Sequence, residues 1–305
     1  MDLPGLFSVQ GSLFLMIVIG TLMRRWKLID EAGRRCLTDL CVNVIIPCNI
    51  LKSCFINLNS DVIYTCSLLV ILALVIQIFC ICLNKILYKR YSDAQRKVLQ
   101  YCTLVSNGGF LGNGVAEGIY GNLGLLYASM YLIPMRIVMW SAGTSYFVAE
   151  GTDRKRIVCN IISHPCLVAV YLGMAIMLLR VPLPNLLKDT IVSIGGCNTP
   201  LTMFIVGTIL ADVDLSTIIN PTTIWISVLR LVLLPLLALG LSFVARLDSI
   251  STGVGVIMTG MPAGSTSAIF AARYGSDAIF ATKCVVFSTL LSMLTIPMWC
   301  FLIGA

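Results

Sequence analysis

Charged side chains are scarce in this chain of 305 residues: Asp, Glu, Lys and Arg make up 11% of it, against roughly 25% in an ordinary soluble domain. Hydrophobic residues account for 58%, and the mean hydropathy is +0.95. A soluble fold of this composition could not cover its surface with polar groups. The scarcity of charge therefore excludes most soluble enzymes and nucleic-acid-binding proteins and predicts that lipid surrounds most of the chain.

Histidine occurs once, at His164, and the chain has neither paired catalytic aspartates nor an H-E-x-x-H sequence. Cysteine is frequent, with 13 residues, but most of them lie inside apolar stretches and no metal-type spacing recurs. We interpret the cysteines as small, reduced, apolar core residues. The sequence predicts no metal, no other cofactor and no catalytic residue.

Apolar stretches long enough to cross a membrane recur along the whole chain, which we interpret as a single membrane domain, residues 1–305. A helical crossing needs about 20 mostly apolar residues, so ten crossings use about 200 residues and leave only short connections. The first stretch lacks the basic residues and the cleavage pattern of a signal peptide. The predicted spans are 6–23, 37–56, 62–84, 99–120, 123–148, 159–179, 187–211, 221–245, 250–272 and 276–302.

Basic residues are unevenly distributed over the loops between these spans. The loops that follow odd-numbered spans hold 14 of the 21 Lys and Arg residues, whereas those on the opposite side hold four. The positive-inside bias therefore places the basic loops in the cytoplasm and both termini outside, in a multi-pass plasma (inner) membrane protein. The net charge of +7 follows from this bias, so we expect contact with membrane lipid and none with nucleic acid.

Two predicted spans contain residues that interrupt a helix. Span four contains S-N-G-G-F-L-G-N-G at 106–114, and each Gly costs about 1 kcal/mol of helix propensity. Span nine contains G-M-P-A-G-S-T-S at 260–267, where Pro262 removes a backbone donor. Backbone groups freed by such breaks cannot face lipid, so they must face protein or a water-filled cavity.

The two breaks predict a binding site for an anion near the middle of the membrane. Half-helix N-termini carry partial positive charge and unpaired N–H groups, which suit an anion. A kink at close helix packing is the structural alternative, but two breaks at the fourth and ninth of ten positions favour a site. The candidate residues at the breaks are Asn107, Gly112, Asn113, Gly114, Pro262, Gly264, Ser265 and Thr266.

Corresponding features in the two halves predict an internal repeat of five spans. Span four ends in a Tyr-Gly pair at 120–121, and span nine ends in one at 274–275. Because five is odd, the second half enters the membrane from the opposite side and the repeat is inverted. Repeat one covers about 6–148 and repeat two about 159–302.

Spans two and seven share a further feature, an asparagine followed by a proline. Asn43 precedes Pro47, and Asn198 precedes Pro200. Their corresponding places in the two repeats make Asn43 and Asn198 further candidates for substrate binding.

At these motifs the sequence resembles the auxin efflux carrier family (PIN-like transporters), in the form of its bacterial members. Residues 106–114 look like the family's S-N-x-x-x-x-G-x-P, and 261–277 look like its proline-containing crossover with a Tyr-Gly end. Residues 198–210 in span seven and V-I-I-P at 44–47 also fit. The resemblance covers nearly the whole chain, with one departure at Gly114, where the family usually has proline.

The resemblance implies an all-α polytopic membrane transporter of ten helices, a 5+5 inverted repeat in which the broken helices four and nine cross. It also implies a scaffold of spans one, two, six and seven and a mobile unit of spans three to five and eight to ten. The mobile unit would carry substrate past the scaffold in an elevator motion. Family substrates are organic anions, auxin in plants and carboxylates in bacteria, so a small organic anion is the expected partner.

Two further properties follow from family analogy alone. Elevator motion needs a rigid scaffold, which makes a homodimer the expected assembly. Relatedness to the bile-acid sodium symporters keeps a sodium-coupled symporter of organic anions open as the alternative function.

Charged residues inside predicted spans are expensive and are functional candidates by default. Arg136 in span five could hold a carboxylate by a bidentate hydrogen bond, or pair with a carbonyl of a broken helix. Lys283 in span ten could contact substrate or replace a coupling ion, or extend to the membrane surface. Glu117 is a candidate for gating or proton coupling, with an interfacial position as the alternative. Arg230 in span eight is interpreted as structural or interfacial.

Two other function classes stay open at this point. An intramembrane hydrolase would use Ser265 or Ser267 as nucleophile, but it lacks a base because His164 lies about 100 residues away. A membrane receptor or structural subunit would not need two matched helix breaks. The sequence favours a non-enzymatic secondary carrier that binds its substrate at the crossover of helices four and nine.

Overall fold

Helices make up the regular structure of the described residues, which are 3–55, 60–143, 145–147, 163, 165–179, 181–212 and 217–304 of a computed structural model. His164 lies outside them. Five of the described helical stretches are long and apolar enough to cross a membrane. They are Asp61–Leu87, Leu123–Phe147, Asn185–Ala211, Pro221–Val244 and Ala278–Ile303.

Short π-helical segments divide several helices of the first half. In chain order the elements are α1 (Leu3–Arg25), α2 (Glu31–Leu40), π1 (Cys41–Ile45), α3 (Ile46–Ser53), α4 (Ser60–Leu87), α5 (Asp93–Leu104), π2 (Gly108–Gly112), α6 (Asn113–Val138) and π3 (Met139–Gly143).

The second half has the same character. Its elements are α7 (Pro165–Leu179), α8 (Asn185–Gly196), α9 (Asn198–Ala211), α10 (Pro221–Val228), π4 (Leu229–Leu233), α11 (Leu234–Val244), α12 (Ser249–Thr259), α13 (Thr266–Arg273) and α14 (Ala278–Ile303).

Proline accounts for two of the π-helical segments. Pro47 stands two residues after π1, and Pro235 stands two residues after π4. A proline has no N–H, so the carbonyl one turn earlier loses its usual donor. The carbonyl of Leu231 accepts instead from the indole Nε1 of Trp299 at 2.7 Å, which satisfies the freed group inside the protein.

The chain divides into two compact units, each of which contains segments from both halves of the sequence. The larger unit comprises Met1–Ser8, Tyr64–Thr152 and Val213–Ala305. The smaller unit comprises Val9–Ile63 and Asp153–Asp212.

Glycines allow α1 and α9 to pack closely within the smaller unit. A Cβ at Gly20 would lie 2.3 Å from the carbonyl oxygen of Phe204, and one at Gly207 would lie 2.1 Å from that of Ile17. The hydroxyl of Thr21 donates to the Gly207 carbonyl at 3.0 Å. Small residues of this kind let two backbones approach where larger side chains would hold them apart.

An acidic residue at the end of α9 joins α9 to α1 and α2. Asp212 accepts hydrogen bonds from Nε of Arg24 at 2.9 Å and from Nη1 of Arg34 at 2.6 Å. Burial by itself raises the pKa of Asp212, but the two guanidinium groups outweigh it and hold that pKa below its ordinary 3.8. The smaller unit therefore has a charged cluster at one end.

We expect Asp212→Asn to lower the thermal unfolding temperature at neutral pH and to lose this effect in acid. A carboxylate whose pKa is lowered by folding stabilises the folded state above its unfolded pKa. That contribution disappears as the pH falls below 3.8 through the folded-state pKa. Unfolding temperatures of the detergent-solubilised protein across pH measure it, with the exposed Asp189→Asn as control. A difference between parent and Asp212→Asn that is the same at every pH would contradict the assignment.

Candidate functional site

Both helix breaks predicted from the sequence are present in the larger unit. The first separates the end of α5 at Leu104 from the start of π2 at Gly108. The second separates the end of α12 at Thr259 from the start of α13 at Thr266. α12 ends three residues before Pro262, whose missing N–H disfavours continuation of a helix.

The two breaks lie against each other and pair through their backbones. The N–H of Asn107 donates to the carbonyl of Pro262 at 2.7 Å, and the N–H of Gly264 donates to the carbonyl of Val105 at 2.9 Å. The residues between these partners form an isolated antiparallel bridge. Backbone groups that lack helical partners thus satisfy one another, as buried polar groups must.

Arg230, on π4, lies at the carboxyl ends of both half-helices. Its Nη1 donates to the carbonyl of Thr103 at 2.9 Å, and its Nη2 donates to those of Thr259 and Met261 at 3.2 and 3.1 Å. The last carbonyls of a helix lack intrahelical donors and carry partial negative charge. The buried guanidinium satisfies two of them, and also the carbonyl of Met261 two residues beyond α12, which agrees with the structural interpretation of Arg230.

Hydroxyl groups on neighbouring helices form hydrogen bonds with residues of the second break and of the helix before it. The N–H of Ala263 donates to Oγ of Ser288 at 3.1 Å, and the hydroxyls of Tyr131 and Thr259 are 2.6 Å apart. No motif marks Ser288 or Tyr131 in the sequence. The available signal is that a buried hydroxyl in an apolar helix needs a partner.

Asn107 and Asn113 carry buried amide atoms that lack a partner. Asn107 is 1% exposed, and neither its Oδ1 nor its Nδ2 has a hydrogen-bond partner among the described residues. Oδ1 of Asn113, at 3% exposure, is in the same situation. Buried polar atoms without partners cost free energy unless water or a ligand binds them. These amides are therefore the groups of the site best suited to bind a polar ligand.

Arg136 brings a positive charge to the first break. It is 5% exposed and lies in α6 two residues after Pro134. A Cβ added at Gly109 would lie 3.9 Å from Nη2 of Arg136, so the guanidinium lies beside π2. The structure thus brings Arg136 to the segment that follows Asn107.

Glycines of the first break allow close packing and take the place of a proline. A Cβ at Gly112 would lie 2.8 Å from Sδ of Met258, so π2 packs directly against α12. Gly114 stands two residues after π2, the same offset as Pro47 after π1 and Pro235 after π4. The π-helical segment therefore forms at this break without the proline, and Gly114 keeps a backbone N–H.

The second break contributes fewer polar side chains. Pro262 and Gly264 take part through their backbones. Ser265 is 4% exposed and precedes α13 without a side-chain capping bond. Oγ1 of Thr266 accepts from the hydroxyl of Tyr101 at 3.0 Å, which places α5 beside the start of α13.

Four other candidates are not among the paired residues of the breaks. Asn43 and Asn198 belong to the smaller unit, where Asn43 is exposed and its Nδ2 donates to the carbonyl of Asp39 at 2.9 Å. Lys283 in α14 and Glu117 in α6 are partly exposed members of the larger unit. Their roles in binding or coupling stay predictions.

Comparison with known proteins identifies the family. The sequence profile of a family described as membrane transport protein matches residues 11–160 and 154–300. The chain belongs to the membrane transport protein family. This is the family of the auxin efflux carriers and PIN-like proteins, so the resemblance predicted from the sequence is confirmed.

Two relatives in the membrane transport protein family match this chain almost from end to end. An uncharacterized transporter of Methanothermobacter thermautotrophicus is 27% identical over 294 residues, which cover 94% of this chain and 95% of the relative. One of Methanocaldococcus jannaschii is 22% identical over 298 residues, which cover 93% and 94%. The family and its apolar helices make this chain an integral membrane transporter, and both relatives point away from an enzyme.

Proposed function

We propose that the protein is a secondary carrier for a small organic anion, a carboxylate, that binds at the two breaks. The observation that carries this proposal is the side chain of Asn107, a buried amide at the first break without a partner among the described residues. Its Nδ2 can donate to a carboxylate oxygen, and the guanidinium of Arg136 beside π2 supplies positive charge.

The local charges favour an anion over a cation. The carboxyl ends of α5 and α12 carry the partial negative charge that would attract a cation. Arg230 already donates to the carbonyls of Thr103 and Thr259 at these ends and to that of Met261 in the break. The amino ends of π2 and α13 also start at the breaks and carry partial positive charge. Sodium bound to those three carbonyls is correspondingly disfavoured, which makes the sodium-coupled symporter the weaker candidate.

We propose an elevator mechanism in which the smaller unit is the scaffold and the larger unit moves. The division of the chain supports this proposal, because the smaller unit gathers predicted spans one, two, six and seven and the larger unit gathers the rest. The antiparallel pairing of the breaks supports ten helices in a 5+5 inverted repeat with crossed helices four and nine.

The proposed topology has cytoplasmic odd-to-even loops and outward termini in the plasma membrane. The ion pairs of Asp212 with Arg24 and Arg34 support it, because they join the loop after span seven to the loop after span one. The excess of basic residues in these loops supports their assignment to the cytoplasm.

Uptake by proteoliposomes tests the proposed function. We expect at least one of a panel of labelled mono- and dicarboxylates to enter faster than into protein-free vesicles, while amines of matched size enter at the protein-free rate. Repeating the assay with and without sodium, and across an imposed pH gradient, identifies the coupling ion. Uptake of the amines in place of the carboxylates would overturn the proposal.

A further inference from the structure

An open cavity of about 890 Å³ in the larger unit lies between the end of α4, the start of α5 and residues 145–146. Four cations line it, Lys85, Lys89, Arg96 and Lys97, against one carboxylate, Asp93. The proposed transport site does not include any of these residues. The cavity therefore needs an explanation of its own.

Positive charge in this cavity exceeds what the carboxylates of the described residues neutralise. Asp93 is shared between two cations, since it forms ion pairs with Arg96 and with Nζ of Lys97 at 2.8 Å. Lys85 and Lys89 are exposed, and no ion pair with a described residue involves them. Two lysines without an acidic partner in the described part of the chain make the cavity suited to an anion.

The floor of the cavity is polar and includes an acceptor without a donor. Asn84 is 2% exposed, and its Nδ2 donates to the carbonyl of Gln100 at 2.9 Å and to the hydroxyl of Tyr146 at 3.4 Å. Its Oδ1 has no hydrogen-bond partner in the part of the chain that the structure describes. Such a floor suits an anion that also carries a hydroxyl donor, as the head group of phosphatidylglycerol does.

The surface of α4 that leads to the cavity is apolar. Ile78 and Phe79 are 52% and 44% exposed. Ile78, Cys82 and Lys85 follow one another at spacings of four and three residues, so α4 presents them on one face. Lys89 follows in the turn just after the helix ends at Leu87. This face changes from apolar to basic at the end of the helix, which is the pattern of a surface that contacts acyl chains and then a head group.

We propose that the cavity binds the phosphate head group of an anionic membrane lipid, whose acyl chains lie along the apolar face of α4. A bound lipid links α4 to α5, the half-helix that ends at the first break. The proposal is independent of which solute the protein carries.

Native mass spectrometry of the detergent-solubilised protein tests this proposal. Dioleoyl phosphatidylglycerol is expected to bind at least tenfold more tightly than dioleoyl phosphatidylcholine. Each lysine near a membrane surface strengthens binding of anionic lipid about fivefold, so Lys85→Gln/Lys89→Gln is expected to weaken it about 30-fold. Both side chains are exposed, so the unfolding temperature in neutral detergent should stay at the parent value.

The matched control is Arg35→Gln/Arg90→Gln, which removes the same charge from exposed positions that do not line the cavity. The control should bind phosphatidylglycerol like the parent. Equal losses in the two double variants, or equal binding of the two lipids by the parent, would overturn the proposal. Inorganic phosphate at the same concentration should not displace the lipid, and displacement would identify free phosphate as the ligand instead.

Discussion

Asn107→Ala is expected to slow substrate uptake strongly and to leave the protein folded. The side chain has no partner among the described residues to lose, so its removal should not lower the unfolding temperature. A hydrogen bond to a charged ligand is worth about 1.5–3 kcal/mol, which predicts roughly a ten- to hundredfold slower uptake. Initial uptake rates of the carboxylate identified in proteoliposomes measure the first effect, and thermal unfolding in detergent measures the second.

Ser129→Ala is the matched control because it removes a buried polar group away from the breaks, in the middle of α6. The hydroxyl of Ser129 is bonded within its own helix, to the carbonyl of Leu125 at 2.7 Å, so uptake should equal that of the parent. Arg136→Ala, made as a separate variant, should also show slower uptake, as Asn107→Ala does. Parental uptake rates in both variants would show that the substrate binds elsewhere.

Arg230→Met is expected to be the most destabilising substitution discussed for this protein. Methionine fills much of the same volume but leaves the carbonyls of Thr103, Thr259 and Met261 without their shared donor. Unsatisfied buried carbonyls at two helix ends should cost about 3 kcal/mol or more in free energy of unfolding. The expected readout is a loss of folded protein from the membrane or a large drop in unfolding temperature.

Arg25→Met controls for the loss of a positive charge, because Arg25 is exposed at the end of α1. Arg230→Lys should fall between parent and Arg230→Met, since an ammonium keeps the charge but lacks the planar fork that reaches both half-helices. If Arg230→Met unfolds at the same temperature as Arg25→Met, Arg230 does not hold the breaks together.

The positions of the breaks could be predicted from the sequence because glycine, asparagine and proline act on the backbone next to them. The glycines and asparagines of 106–114 and Pro262 disfavour a regular α-helix through their own backbones, before any contact with other segments. Five of the ten predicted apolar spans correspond to helices long and apolar enough to cross a membrane in the described residues. They could be predicted for a similar reason, since lipid imposes one composition and one length on every crossing helix.

Contacts between distant segments could not be predicted in the same way. Arg230 and its partner Thr103 are 127 residues apart, and nothing near Arg230 in the sequence indicates a carbonyl ligand. Asn43 matched Asn198 in repeat position, yet its side chain is exposed and bonded to its own helix. Lys85 and Lys89 belong to the basic loop after span three. The positive-inside bias accounts for their presence on that side of the membrane, but it does not indicate whether they share a cavity.

The first break has Gly114 where the second has Pro262, so the backbone of the first break is the more flexible of the two. The pyrrolidine ring of Pro262 fixes one backbone torsion and removes the N–H that a continuing helix would use. The stretch from Gly108 to Gly114 has no such ring, and its glycines permit several backbone conformations at low cost. Under the proposed binding of solute at the two breaks, we expect a bulkier solute to be accommodated by backbone adjustment at the first break, while the second break keeps its conformation.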